Sequence, residues 1–242
     1  MLEPHEIERA LVVTAHPDDV DFGAAGTVAN LTDRGVAVTY CLVTDGDAGG
    51  FDQTIPRPLM ATMRREEQTR AAKEVGVEDL IFLAFGDGRV EYNLTLRAAL
   101  SRVIRQVRPN LVITQSPVLD LTRIYASHPD HVATGQAAIA AVYPDARNPF
   151  AYPELLAEGL DAWTVPEVWV MSTLASPGAG VHLEDVTANA DRKIRALLCH
   201  ETQHKDPSGI DAMVRAWMKA TGERFELGDG RLAEAFLVVE TR

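Results

Sequence analysis

Positive charge is scarce in this chain of 242 residues: 23 lysines and arginines stand against 35 aspartates and glutamates, a formal net charge of -12 at pH 7. A nucleic-acid backbone would be repelled unless the few cations were gathered on one face, so no nucleic-acid partner is expected. Cysteine is nearly absent, with Cys41 in an apolar run and Cys199 in a helical one. That excludes a disulfide framework and points to free thiols in a reducing, cytoplasmic setting. No apolar run approaches the roughly 20 residues of a membrane helix, so no membrane insertion is expected. The N-terminus, with Glu3, Glu6 and Glu8, lacks the basic start and apolar stretch of a secretory signal. Gly/Ser linkers, repeats and low-complexity tracts are missing too, and residues 1–242 read as a single domain. A nucleophile elbow of the G-x-S-x-G type is also absent, and neither cysteine has a paired histidine, which leaves covalent catalysis without a candidate.

Apolar content is ample, at 46% of residues, and enough to bury a substantial core. Short apolar runs at Leu11 to Ala15, Val36 to Thr44, Asp79 to Phe85, Leu111 to Gln115, Val168 to Leu174 and Phe236 to Glu240 predict strands. Helical patterns lie at Gly23 to Arg34, Thr62 to Val75, Leu94 to Val107 and His131 to Val142, with two more at Ala188 to His204 and Ile210 to Thr221. Alternation of this kind predicts an α/β fold: a Rossmann-like three-layer sandwich with a mostly parallel sheet. Tyr143 to Pro166, rich in proline and aromatics, is expected to be a long loop excursion.

Ligands in open α/β sheets bind beyond the carboxyl ends of the strands. In this chain those ends are polar: His16-Pro17-Asp18-Asp19 after the first strand, Thr44-Asp45-Gly46-Asp47 after the second, Gly86-Asp87-Gly88 after the third, and His128-Pro129-Asp130-His131 following the fourth. A catalytic zinc site takes about three protein ligands and keeps one position open. His16, Asp19 and His131 can supply them. Asp18 is then left beside the metal as a carboxylate suited to accept a proton from water. Pro129 suits the first position of a helix, with His128 near its cap and His131 one turn inside, so that one histidine can ligate while the other faces substrate. Asp130 is placed to hydrogen-bond a ring nitrogen and fix its tautomer. Iron, manganese or cobalt could occupy the same donors.

Rival patterns exist. His200-Glu201-Thr202-Gln203-His204 matches the H-E-x-x-H of zinc metalloproteases, although Pro207 stands where the longer form of that motif needs glycine. Gly23-Ala24-Ala25-Gly26 lacks the full dinucleotide spacing, and close helix-to-strand packing accounts for its glycines. A non-catalytic carbohydrate-binding protein with a structural metal is a further alternative, against which the extra carboxylate Asp18 argues. Arg57, Arg65, Arg89 and Arg123 are expected to be solvated. Tyr125, Phe150, Tyr152 and Trp163 either stack on a sugar ring, pack a loop onto the core, or form a homo-oligomer interface.

The chain resembles the LmbE-like or PIG-L deacetylases, zinc-dependent enzymes that remove N-acyl groups from amino sugars. The resemblance covers nearly the whole chain. It rests on Ala15 to Asp19, on Asp21-Phe22-Gly23-Ala24-Ala25-Gly26-Thr27, on Thr44-Asp45-Gly46 and on His128 to His131, with support from Arg64 and Glu67, the Asp87-Gly88 turn and His200 to Gln203. It implies zinc ligation by His16, Asp19 and His131, Asp18 as general base, and His128 polarising the carbonyl or protonating the leaving amine. Arg64, with Asp87, is by resemblance a substrate-binding residue. Val20 departs from the glutamate many members carry after the two aspartates. The subgroup with Gly-x-x-Gly-Thr is similar to deacetylases of bacillithiol biosynthesis, which act on a glucosaminyl-malate precursor. The implied substrate is a small N-acetylated amino sugar or a conjugate of one.

Overall fold

Largely apolar runs form the centre of a seven-stranded sheet, because a strand covered on both faces leaves little room for polar side chains. The structure, a computed structural model, describes residues 1–121, 124, 127–171, 177–178 and 180–241. Its strands are β1 (Arg9–Thr14), β2 (Ala37–Thr44), β3 (Asp79–Phe85), β4 (Leu111–Gln115), β5 (Glu167–Met171), β6 (Val181–Asp185) and β7 (Ala233–Glu240), in the order β3-β2-β1-β4-β5-β7-β6. The first five strands pair in parallel, with Val12 of β1 between Tyr40 of β2 and Ile113 of β4, whereas β7 runs antiparallel between β5 and β6.

Successive side chains of each strand feed opposite layers. Ala10 and Val12 face a core with Ala25, Val28, Ala29, Ala71 and Ala72. Those residues belong to α2 (Ala25–Asp33) and α3 (Arg57–Glu74), and α1 (Asp19–Gly23) and α7 (Ala190–Leu198) pack into the same layer. Leu11 and Val13 face a second core with Leu96, Leu100, Val103, Ala133 and Ala137, from α4 (Leu94–Val107) and α5 (Pro129–Ala140). The remaining helices are α6 (Pro153–Ala157) and α8 (Ile210–Arg224). The expected three-layer α/β sandwich is what forms. No helix among the described residues is long and apolar enough to cross a membrane.

Three elements refine the expected layout. β6 was not anticipated, because Val-His-Leu-Glu-Asp carries little apolar signal; pairing with β7 and stacking of His182 on Trp169, centroids 3.9 Å apart, hold it. The 143–166 excursion contains α6 and is pinned from beneath by buried Arg105, whose guanidinium donates to the carbonyls of Ala146, Asn148 and Ala151. The helix expected to run to His204 ends at Leu198, and a short turn at Glu201–Gln203 follows. The strand expected to reach Leu174 is described only to Met171, and Leu174, Arg123 and Tyr125 lie outside the described residues.

Candidate active site

The chain reverses direction in the sheet order between β1 and β4, and a crevice opens at the carboxyl ends of strands where such a switch occurs. Both polar motifs sit there. His16 to Asp19 join β1 to α1, and His128 to His131 enter α5 after β4. The two strand ends are tied by the Gln115 side-chain oxygen, which accepts from the Ala15 amide at 2.8 Å.

Asp19 folds back to accept from the His16 amide at 2.7 Å, which brings its carboxylate under the imidazole. His16 Nδ1 then lies 3.3 Å from Asp19 Oδ2 and 3.2 Å from His131 Nε2, and His131 Nε2 lies 3.0 Å from Asp19 Oδ1. Donors on one tetrahedral ion, at bonds of about 2.0–2.2 Å, stand about 3.3–3.5 Å apart. Two imidazole nitrogens and a carboxylate at this mutual spacing therefore fit a transition-metal ion. His16, His128 and His131 also satisfy the spacing of a metal-holding group. On the far side of the ring, His16 Nε2 faces Asp130 Oδ2 at 3.1 Å and Asp87 Oδ1 at 3.2 Å. Two carboxylates fix the proton on Nε2 and leave the Nδ1 lone pair for a metal. The amides of Gly88 and Ala48 hold Asp130 and Asp87 in turn, at 2.7 and 2.8 Å.

Burial disfavours a charged imidazole at His16, but the hydrogen bonds its ring donates to Asp130, Asp19 and Asp87 push its pKa up to about 12. The same balance raises His131, where burial is outweighed by the charge of Asp19. Without an ion, the site gathers positive charge as protons; a divalent cation would take their place. The adjacent aspartates are driven apart. Burial pushes the Asp18 carboxyl above its usual range, with Arg64 opposing and Asp19 adding to the rise. Asp19 overcomes burial through the charge and hydrogen bond of His131 and stays well below that range. One carboxylate remains ionised beneath the histidines while its neighbour is suited to hold a proton.

Asp18 adopts φ 88°, ψ -27°, a left-handed conformation that costs most side chains about 1–2 kcal/mol and that aspartate, with its short polar side chain, tolerates better. Its surroundings hold it there. Gln68 accepts from the Asp18 amide at 2.8 Å, and Arg64 donates to the Pro17 carbonyl and, at 3.2 Å, to Asp18 Oδ2. Arg64 also donates to the Gly46 carbonyl at 2.8 Å; a Cβ on Gly46 would stand 2.2 Å from the guanidinium, which explains glycine in Thr44-Asp45-Gly46. Arg64, Glu67 and Gln68 share one face of α3. Arg64 and Asp87 are both buried, the first bonded to Asp18 and the second facing His16 Nε2 at 3.2 Å.

His128 caps α5, and its Nδ1 accepts from the Asp130 amide at 3.2 Å. The proton is thereby left on Nε2, and burial together with the charge of His16 lowers the pKa of this exposed ring. It is a neutral donor at the mouth of the crevice. His200 and His204 do not converge: His200 is buried against Asp21 at 2.8 Å, His204 bonds the Leu197 carbonyl at 2.9 Å, and exposed Glu201 pairs with Arg70. The protease alternative fails on this geometry. Gly26 packs against Val186, just beyond the end of β6, with no room for a Cβ. Trp163 and Tyr152 tie the excursion down through Pro109 and Asp145, whereas Phe150 is exposed. Sequence reasoning missed Gln68, whose signal was its place four residues after Arg64 on one helix, and Gln115, which carries none.

The family model PIG-L, GlcNAc-PI de-N-acetylase, matches residues 11–142, which includes both polar motifs of the crevice together with Arg64, Gln68 and Asp87. A diacetylchitobiose deacetylase of Thermococcus kodakarensis is 35% identical over 82% of this chain and 71% of its own. A probable N-acetyl-α-D-glucosaminyl L-malate deacetylase of Bacillus anthracis is 29% identical over 80% of each chain. Among solved structures, the N,N'-diacetylchitobiose deacetylase of Pyrococcus horikoshii superposes with a TM-score of 0.87 at 28% identity, covering 98% of this chain and 85% of that one. A matched span that holds both crevice motifs, and relatives of this identity and coverage, lead to one conclusion: the chain belongs to the PIG-L, or LmbE-like, family of N-deacetylases.

Proposed function

We propose that the protein hydrolyses the N-acetyl amide of a small amino sugar or amino-sugar conjugate, using zinc held by His16 Nδ1, Asp19 and His131 Nε2. The mutual spacing of these three donors at the β1/β4 crevice, 3.0 to 3.3 Å, carries this proposal. When bound, the metal supplies a Lewis acid that polarises the amide carbonyl and lowers the pKa of water to about 7. Asp18 takes a proton from the attacking water; its burial makes the protonated form accessible. His128 Nε2–H donates to the carbonyl oxygen as negative charge develops there. Asp18 then delivers its proton to the amine nitrogen as the C–N bond breaks, so that amide and water become amine and acetate.

The substrate class is supported by the diacetylchitobiose and N-acetylglucosaminyl-malate deacetylases among the relatives. A cytoplasmic setting is supported by two free cysteines, of which buried Cys41 has its thiol pushed up to about 12 by desolvation. The test is acetate release from N-acetylglucosamine, diacetylchitobiose and N-acetylglucosaminyl malate, with N-acetylated peptides as controls. Chelator-sensitive release from at least one sugar is expected. Release from peptides alone, or none from any sugar, would overturn the proposal.

A further inference from the structure

His200 is the one member of the H-E-x-x-H pattern that reaches toward the crevice, and it does so from behind. Its ring is fully buried, with no path to substrate. Nε2 lies 2.8 Å from Asp21 Oδ2, and Nδ1 has no hydrogen-bond partner among the described residues, so the ring's polar contact is with Asp21. The same Asp21 oxygen accepts from Gln68 Nε2 at 2.9 Å. Gln68 turns its other amide atom, Oε1, to the Asp18 amide at 2.8 Å. Because one side-chain amide both donates to Asp21 and accepts from Asp18, its orientation is fixed by the carboxylate, and the carboxylate by the histidine.

We propose that His200 is a positioning residue for Asp18, acting through Asp21 and Gln68 to hold the left-handed turn that aims the Asp18 carboxylate. The role rests on Asp18 as the base of the proposed deacetylation. The chain of bonds joins the loop that runs from β1 into α1, α3, and the turn after α7 through the Gln68 amide and the Asp21 carboxylate. Arg64 grips the same turn from the other side through the Pro17 carbonyl and the Asp18 carboxylate. Without Gln68 correctly oriented, the Asp18 amide loses its acceptor and the turn is free to relax. Misplacement of a reacting group by about 1 Å costs about 100-fold in rate.

Three zinc-loaded single variants, together with the double Leu variant, test this: His200→Leu, which removes the donor at similar volume, His200→Gln, which retains one, and Gln68→Leu. The readouts are kcat and KM for acetate release from the sugar that the wild type turns over, zinc content and melting temperature. His200→Leu and Gln68→Leu are expected to lower kcat about 10- to 100-fold with KM and zinc content unchanged. His200→Gln should restore kcat to within a few-fold. The double Leu variant should fall no further than the worse single one, because the links act in series. Unchanged kcat in folded, zinc-loaded His200→Leu or Gln68→Leu would overturn the positioning role alone. If the His200 variants fail to fold, Gln68→Leu decides by the same criterion. Absence of acetate release by the wild type would instead overturn the deacetylation on which the role rests.

Discussion

Replacing Asp18 by asparagine removes the proposed base and leaves its turn standing. Asparagine tolerates the left-handed region nearly as aspartate does, so the backbone at φ 88° is retained. Its side-chain oxygen can still accept from Arg64 Nη2, the contact now made at 3.2 Å. What disappears is the ability to take a proton, and general-base catalysis contributes about 10²- to 10⁴-fold. At 1.36 kcal/mol per tenfold, that is about 3–5 kcal/mol of transition-state stabilisation. Asp18→Ala adds two losses: about 1–2 kcal/mol of left-handed strain, and a buried Arg64 guanidinium left without its carboxylate. For a chain of this length the strain alone lowers Tm by about 2–8 °C. The assay pairs kcat for acetate release with zinc content by mass spectrometry and Tm by calorimetry. Both variants should lose similar kcat while only Asp18→Ala melts early. An Asp18→Asn protein with zinc bound and kcat within tenfold of wild type would refute the assignment of the base.

His128→Asn keeps an N-cap acceptor for α5 but loses the outward Nε2–H; kcat should fall about 10²- to 10³-fold with Tm and zinc content unchanged. Loss of zinc in that variant would make His128 a ligand. Zinc binding to the apo-protein at pH 7 should release protons, because His16 without an ion holds its proton up to about 12 and must give up Nδ1–H to ligate. Calorimetric enthalpies that do not change with the ionisation enthalpy of the buffer would contradict this. Gly46→Ala places a Cβ 2.2 Å from Arg64 Nη1 at a backbone φ of +67°, so both Tm and kcat should drop; a variant of wild-type Tm and kcat would show that the close approach of the guanidinium to this turn is not needed.

The parallel core was legible because β1, β2 and β4 are largely apolar on both faces, a pattern that period and composition reveal directly. The crevice was legible because polar residues crowd the ends of those strands, and the structure brings His16, Asp19 and His131 together as expected. What stayed hidden depends on distant partners. β6 is a strand through its pairing with β7, and its own five residues do not announce it. The internal partners of Arg64 and Asp87 were hidden too, because a charged residue near a crevice gives no sign of which backbone groups it holds; Arg64 donates to the Pro17 carbonyl and Asp87 accepts from the Ala48 amide. His200 and His204 matched a metal motif that requires a continuous helix, and the helix stops at Leu198. Each miss is a case of tertiary context deciding between two local possibilities.

The measurement that tests the central claim most directly is a titration of chelated protein with zinc, following acetate release from an N-acetylated sugar. Activity should be absent at the start, rise in proportion to added zinc and level off near one equivalent per chain, with no recovery in His131→Ala at the same concentrations. Full activity in the chelated protein, or equal recovery in His131→Ala, would contradict it.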